Sequence, residues 1–535
     1  MGAQQAKWRV LVSDTLSEEG LAVLRGNPSV ELVVKTGLDP EELKREIREA
    51  DALLVRSATK VTAEIIEAAP KLAAIGRAGV GVDNIDVEAA TQRGVVVCNS
   101  PEGNTVAAAE HTLALLLAVA RNVPAASVSV AAGEWRRSAF LGVELLNKTL
   151  GIIGLGKIGS EVAVRAAAFG MKIIGQDPFV AADRAERLGV EIVDLPELFE
   201  RSDFITVHVP LTKDTQHLIG KESLAKVKPG VRIVNCSRGA VVDEGALAEA
   251  IKDGRVAGAG LDVFEKEPPS DSPLLGLDGV VLTPHLGAST AEAQVKVAVD
   301  VAQQVLDVLQ GRPARSAVNV ISVSPEVLRA IEAYLPLAEK MGSLQGQLAE
   351  KPLGSVEMIY AGQLADEDSR LLTRAFLKGM LSPIVDEPVN LVNALVVAQA
   401  RGLRVSESRS REPEDYVSLI TSRVTCNGAE RSIAGTLFGR SEPRIVRIDE
   451  YRVDFTPFGH MLVSMHMDRP GMIGRVGTIL GEHHINIAGM HVGRTQPGPG
   501  GRSVMVLALD GPVPSDVLGE LRQLDGIETA QVVEL

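Results

Sequence analysis

Cysteine, aromatic residues and positive charge are all scarce in this chain of 535 residues. Its three cysteines, Cys98, Cys236 and Cys426, stand far apart, which excludes a disulfide framework and a cysteine-based metal cluster. A reducing, cytoplasmic setting is the simplest expectation. Aromatics make up 3%, and 55 lysines and arginines face 69 aspartates and glutamates, a net charge of −14. Phosphate neutralisation and base stacking are both poorly supplied, so no nucleic-acid partner is expected. The longest apolar run near a helix, Leu113 to Ala120, is too short to span a bilayer, and no membrane is expected. The opening residues lack an apolar signal core, and Ala6 stands where a myristoylation motif wants Ser or Thr. No His or Cys pair has ligand spacing, so no metal is expected.

What is present is ordinary globular composition, 45% apolar and 23% charged. At ~150 residues per domain the length implies three to four folding units. Short apolar runs alternate with amphipathic ones from Arg9 to Ile75, and a second such series runs from Thr149 to Leu282. That alternation predicts α/β architecture with parallel, doubly wound sheets, because parallel neighbours need crossover helices. The helix expected from Ala291 to Leu309 reads as a return to the first unit. The expected division is therefore 1–99 with 288–318, 100–287, 319–455 and 456–535. Prolines punctuate the third segment, which carries no catalytic motif. The last reads βαββαβ, with Gln496–Gly501 as a flexible hairpin loop.

Gly154-Leu-Gly156-Lys-Ile-Gly159 follows the apolar strand Leu150 to Ile153 and opens a helix. In that position Gly154 allows the tight turn, Gly156 lets backbone approach a pyrophosphate, and Gly159 permits close helix packing. Asp177, 18 positions beyond Gly159, ends the next strand, where a carboxylate reads a ribose 2′-hydroxyl. A carboxylate there repels a 2′-phosphate, so the expected cofactor is NAD. Three more residues lie in loops at the carboxyl ends of later strands, where open sheets bind ligands: Arg238, Glu267 and His285. Imidazole suits proton transfer near neutrality, a carboxylate beside it fixes its tautomer, and a guanidinium grips a carboxylate.

The set Gly154 to Gly159, Asn235-Cys-Ser-Arg-Gly-Ala240, Asp262 with Glu267, and Thr283-Pro-His285 resembles the D-isomer-specific 2-hydroxyacid dehydrogenases. Arg77-Ala-Gly-Val-Gly-Val-Asp-Asn84 and the Asn319 region sharpen the likeness to the long-form branch acting on 3-phospho-D-glycerate. The resemblance implies a Rossmann-type dinucleotide-binding domain, a flavodoxin-like substrate domain, an α/β intervening domain and a ferredoxin-like tail. It implies oxidation of 3-phospho-D-glycerate to 3-phosphooxypyruvate with NAD, opening L-serine biosynthesis. His285 would then be the proton donor or acceptor, Glu267 its partner and Arg238 the substrate clamp. Lys157 and Ile158 would line the pyrophosphate, Asp177 the ribose, and Cys236, Ser237, Asp262, Gly287 and Ala288 the remaining cofactor contacts. Arg56, Ser57, Arg77 and Gly79 would face the substrate. Val80 stands where relatives often carry Thr. Cys236 reads as a packed thiol, and His111 as a satisfied helix residue. His208 reads as core or cofactor-facing.

His466-Met-Asp468-Arg-Pro-Gly471, followed by Asn486-Ile-Ala, resembles the amino-acid-binding ACT domain. That likeness implies an L-serine effector held by His466, Asp468 and Asn486 where a neighbouring copy meets this one. Asp468 replaces the Asn of some relatives. Arg440, Arg444 and Arg447 read as a solvated basic face or an anion site. The loop around Trp135 and Arg136 is similar to segments that cross between subunits, which implies a homodimer or homotetramer. A glyoxylate or hydroxypyruvate reductase would share His285, Glu267 and Arg238 but gain little from Arg56 and Arg77. An NAD-sensing binding protein would not need the three.

Overall fold

Alternating strands and helices build two parallel sheets in a computed structural model that describes residues 7–321, 323–349, 352–411, 415–495 and 501–535. The first sheet has strands Trp8–Val12, Val30–Val34, Ala52–Val55, Ala74–Arg77 and Val96–Asn99, ordered second, first, third, fourth, fifth. The fifth strand escapes a reading by periodicity. Val-Val-Cys-Asn is four residues long and buried, and so short a run shows no alternation. The sheet reverses direction between its first and third strands, and the residues just beyond them, Asp14 and Arg56, flank the crevice that such a reversal opens.

The helix Ala291–Leu309, capped at its start by Thr290, closes this lobe from far along the chain. Its Val297, Val301, Ala302 and Val305 join Val10, Val12, Leu54 and Cys98 in one apolar core. Gly20 faces it so closely that a Cβ would stand 2.6 Å from that of Ala298. Beyond the helix, Asn319 pins the outgoing chain to the fifth strand by accepting from the Val97 amide at 2.9 Å.

The second sheet has seven parallel strands. Thr149–Ile153 lies inside it between Phe204–Val207 and Lys172–Gln176, so its carboxyl end marks the second reversal point. Helix Thr105–Arg121, entered directly from the crossing between the lobes, packs beneath it.

The third sheet, of six strands, is mostly antiparallel, with one parallel pair between Leu353–Gly362 and Arg404–Ser410. The fourth orders Ile487–Arg494, Arg502–Leu509, His460–Met467 and Ile527–Glu534, with helices Met472–Glu482 and Ser515–Gln523 between strands in the chain. The loop expected at Gln496–Gly501 lies outside the described residues except for Gly501. Sheets three and four pack on each other: Tyr451, Val453 and Phe455 share a core with Met461, Val463, Val504, Val506 and Val533. Gln347 adds to the joint, its amide donating to the Glu534 carbonyl at 2.8 Å and accepting from the Glu534 amide at 3.0 Å.

Phe455 is 2% exposed in that shared core, so Phe455→Ala should cost ~3–5 kcal/mol. Hydrogen exchange should then show residues 353–455 and 460–535 losing protection together. Loss confined to the C-terminal sheet would contradict the shared core.

Candidate active site

The glycine-rich turn is built as its spacing requires. Gly154 adopts φ +93°, and a Cβ there would lie 2.6 Å from the His208 carbonyl oxygen. Gly159 packs so tightly on the Gly154 carbonyl that no Cβ fits. Gly156 differs: a Cβ added there meets nothing within 4 Å. Its backbone faces open space at the N-terminus of helix Lys157–Ala168, where no side chain caps the helix and the first N–H groups lack intrahelical acceptors. That is a cradle for an anion, and it fits the pyrophosphate of a dinucleotide.

Asp177 accepts from the Leu155 and Phe179 amides, each at 2.8 Å, so its carboxylate is held at the edge of the turn. It borders an open cleft of about 710 Å³ lined by Gln176, Pro178, Ile192, Val193 and Leu195. Lys157 pairs with Glu102 of the interlobe crossing at 2.6 Å, while Ile158 packs into the lobe's core.

At the other end of the crevice, His285 Nδ1 stands 2.9 Å from Glu267 Oε2. That contact raises the imidazole pKa above its ordinary value, burial pulling the other way. Burial pushes the Glu267 carboxyl up, but His285 and the Phe264 amide hold it below the usual range. His285 sits at φ +55°, a left-handed conformation that costs a non-glycine residue ~1–3 kcal/mol. Something must hold it, and Asp262 does. The Asp262 carbonyl takes the His285 amide at 2.9 Å, Oδ1 takes Leu286 N at 2.7 Å and the Thr283 hydroxyl at 2.6 Å, and Oδ2 takes Gly287 N at 2.8 Å. Asp262 is 1% exposed, and burial raises its carboxyl pKa less than these donors and His111 lower it. Ala288, partly buried, follows the loop so held. A contact from Asp262 to nicotinamide would use the lone-pair capacity left on Oδ2.

The arginines converge from both lobes. Arg238 donates from Nε to Asp83 Oδ2 at 3.1 Å, across the crevice, and from Nη1 to the Ser237 carbonyl at 2.8 Å. Ser237 is itself fixed by its amide and hydroxyl on Asn235 Oδ1. Arg77, half-buried, has its Nε without a partner among the described residues. Burial lowers its pKa to about 10, with the charges of Arg238 and Arg56 acting in the same direction and Asp83 and Asp14 opposing. Gly79 and Gly81 leave room for this crowding, since a Cβ at either would collide with the guanidinium of Arg77 or of Arg238. Arg56 is placed by its backbone: its amide donates to Asp14 at 2.6 Å and its carbonyl accepts from Asn84 at 2.7 Å. Ser57 follows it, exposed. Three guanidinium groups with one orphaned buried donor form a site suited to an anion.

Cys236 is buried, its thiol pushed up to about 12 by burial, which leaves it inert. His208 is partly buried: its Nε2 meets the Thr206 hydroxyl at 3.0 Å, and burial lowers its pKa to about 4. Asp14 and His111 belong to the site but carry no motif-level mark of it, and Asp83 lies within the Arg77–Asn84 stretch without being singled out there. A buried Asp within two residues of a strand's end, as at Asp14 and Asp262, is the one signal that would have pointed to two loop anchors.

In the tail, the three effector candidates do not meet within one chain. Asp468 follows strand His460–Met467 and pairs with Arg494, whose Nη2 donates to Oδ1 at 3.2 Å while Nε lies 2.8 Å from Oδ2. Asn486 precedes strand Ile487–Arg494 and donates to Asp510 at 2.6 Å. The register places Asn486 beside the His460 end of the sheet, so roughly 20–25 Å of strand separates it from Asp468. His466 is 1% exposed, with Nδ1 unpartnered among the described residues. Arg444 is engaged by Glu442 and Asp454, and Arg447 also has a partner.

This fold and site define a D-isomer specific 2-hydroxyacid dehydrogenase, whose NAD binding domain model matches residues 113–287. Models of the D-3-phosphoglycerate dehydrogenase intervening domain and of the ACT domain match residues 330–449 and 460–526. Over 528 residues the chain is 50% identical to D-3-phosphoglycerate dehydrogenase of Archaeoglobus fulgidus, covering 98% of this chain and 100% of that protein. Against the Bacillus subtilis protein of the same name it is 45% identical, with 99% and 100% covered. The chain belongs to the D-3-phosphoglycerate dehydrogenase family. Among solved structures, a D-lactate dehydrogenase from Aquifex aeolicus complexed with NAD and lactic acid matches with TM-score 0.53 and 30% identity, covering 58% of this chain and 100% of that one. A glyoxylate reductase from Paecilomyes thermophila matches with TM-score 0.54 and 32% identity, covering 58% and 98%.

Because a Cβ at Gly156 would meet no protein atom within 4 Å, Gly156→Val should fold with the parent's Tm yet lose the thermal shift that NADH induces. A preserved shift would remove the pyrophosphate from this turn.

Proposed function

We propose that the protein oxidises 3-phospho-D-glycerate to 3-phosphooxypyruvate with NAD, the first step of L-serine biosynthesis. The observation that carries this reading is Arg238, which reaches Asp83 across the crevice at 3.1 Å from the lobe that holds the His285–Glu267 pair at 2.9 Å. One guanidinium thus links a proton-transfer pair to a cationic pocket with an unfilled donor. With Nδ1 committed to Glu267, His285 offers Nε2 to the substrate hydroxyl and takes its proton. Arg238 grips the carboxylate and polarises the developing carbonyl, and Arg56 and Arg77 receive the phosphate, whose charge of about −2 suits two guanidinium groups. Bound at Gly156 and Asp177, NAD supplies the acceptor for the hydride leaving the carbinol carbon. Lys157, Ile158, Cys236, Ser237, Gly287 and Ala288 complete the wall of that site.

The test compares turnover of 3-phospho-D-glycerate with that of D-glycerate, repeated in His285→Ala. The phosphorylated substrate should be strongly preferred and the variant inactive; equal turnover of both substrates would favour a general 2-hydroxyacid enzyme. Oxidation needs the neutral imidazole, so its rate should fall as pH drops through the raised His285 value. Reduction needs imidazolium and should fall as pH rises through it. Glu267→Gln removes the stabilising carboxylate, so both inflections should move down towards the ordinary 6.5.

The tail supports serine feedback between two copies of the chain. Asp468 and Asn486, far apart in one sheet, become neighbours only if a second copy brings its Asn486 to this Asp468. Trp135 at 79% and Leu141 at 87% exposure, beyond helix Val123–Ala131, support a homodimer or homotetramer. Three buried free thiols support a reducing, cytoplasmic compartment. Serine titrated against initial rate should inhibit, and Asn486→Ala should abolish that inhibition; full activity at millimolar serine would refute the sensor.

A further inference from the structure

The carboxylate that holds the His285 loop has one donor that does not come from that loop. His111 Nε2 lies 3.1 Å from Asp262 Oδ1 and 3.0 Å from the Thr283 hydroxyl oxygen. The Thr283 proton is already committed to Asp262, at 2.6 Å, and a carboxylate only accepts. Nε2 therefore carries the proton and shares it between the two oxygens. His111 sits in helix Thr105–Arg121, which begins where the chain has just crossed between the lobes. Its side chain is 19% exposed, so water competes weakly for this contact. The other donors to Asp262, from Thr283, His285, Leu286 and Gly287, all belong to the loop being held. His111 alone ties that assembly, among the described residues, to a long helix with a core of its own.

We propose that His111 is a positioning residue: its Nε2–H fixes Asp262, and through it the left-handed backbone of His285, so that the imidazole keeps its contact with Glu267. This rests on the dehydrogenase reading above. Without that donor the Asp262 carboxylate keeps only its bonds to the loop it holds, the loop from 283 to 287 loosens against the helix, and the Nδ1–Glu267 contact lengthens. The groups facing His285 are Glu267, Asp262 and Arg238, and two of them, Glu267 and Asp262, belong to this assembly.

The test reads His285 directly. Diethyl pyrocarbonate modifies neutral imidazole, so the pH dependence of labelling at the His285 peptide, followed by mass spectrometry, reports its protonation without substrate. In His111→Leu the labelling midpoint should slide towards 6.5, and kcat should fall about 10- to 100-fold. His111→Gln, which keeps a donor of similar reach, should restore both. His111→Asn, polar but too short, should behave as the Leu variant and stands in for it should that one fail to fold. The parent's midpoint and kcat retained in His111→Leu or His111→Asn would overturn the proposal. So would a lowered kcat with an unmoved midpoint. Failure of the dehydrogenase reading would show separately, as a parent enzyme without turnover whose labelling midpoint still responds to these variants.

Discussion

A buried carboxylate at the end of one strand is the constraint on which the site depends. Asp262 exchanges water for backbone amides, a hydroxyl and an imidazole N–H, and a buried charge is tolerable only when so surrounded. The bargain runs both ways, because those same bonds keep His285 in a conformation it would otherwise leave. Asp14 repeats the device on the facing lobe. At 6% exposure it accepts from the Arg56 amide and from the amide and hydroxyl of Thr59, with Asn84 bridging the Arg56 and Thr59 carbonyls. Two anchored loops thus face each other across the crevice, one presenting a proton acceptor and the other a cation.

The electrostatics are local rather than global. A chain of net charge −14 repels small anions at long range, yet Arg56, Arg77 and Arg238 gather at one end of the cleft. Low-dielectric walls concentrate their field. Asp83 is the counterweight. It keeps Arg238 oriented before any ligand arrives, and its side chain is 72% exposed, so the pair is weak enough to rearrange.

The C-terminal half is joined to the catalytic lobes by contacts of a different kind. The third and fourth sheets share apolar core, so a change in the tail is felt in the intervening domain as packing. The link onward is thin and polar: Asn390 donates to the Gly94 carbonyl at 2.7 Å and Asn393 to the Gln92 carbonyl at 3.3 Å. Arg374 steadies that loop through the Leu391 and Val392 carbonyls.

Sequence by itself determined the parts whose cause is local. Strand and helix spans such as Thr149–Ile153, Ala291–Leu309 and Met472–Glu482 follow from periodicity and caps, and the glycine turn with Asp177 follows from steric needs within 24 residues. The strand Val96–Asn99 was too short and too buried to announce itself. Only the tertiary structure decided which distant residues meet. Asp83 reaches Arg238 across 155 positions and His111 reaches Asp262 across 151, while Asp468 and Asn486, 18 apart in the chain, lie at opposite ends of a sheet. The reason is physical: side-chain periodicity and caps act over a few residues, but a hydrogen bond between two loops depends on how whole strands are ordered, and no short stretch of chain carries that order.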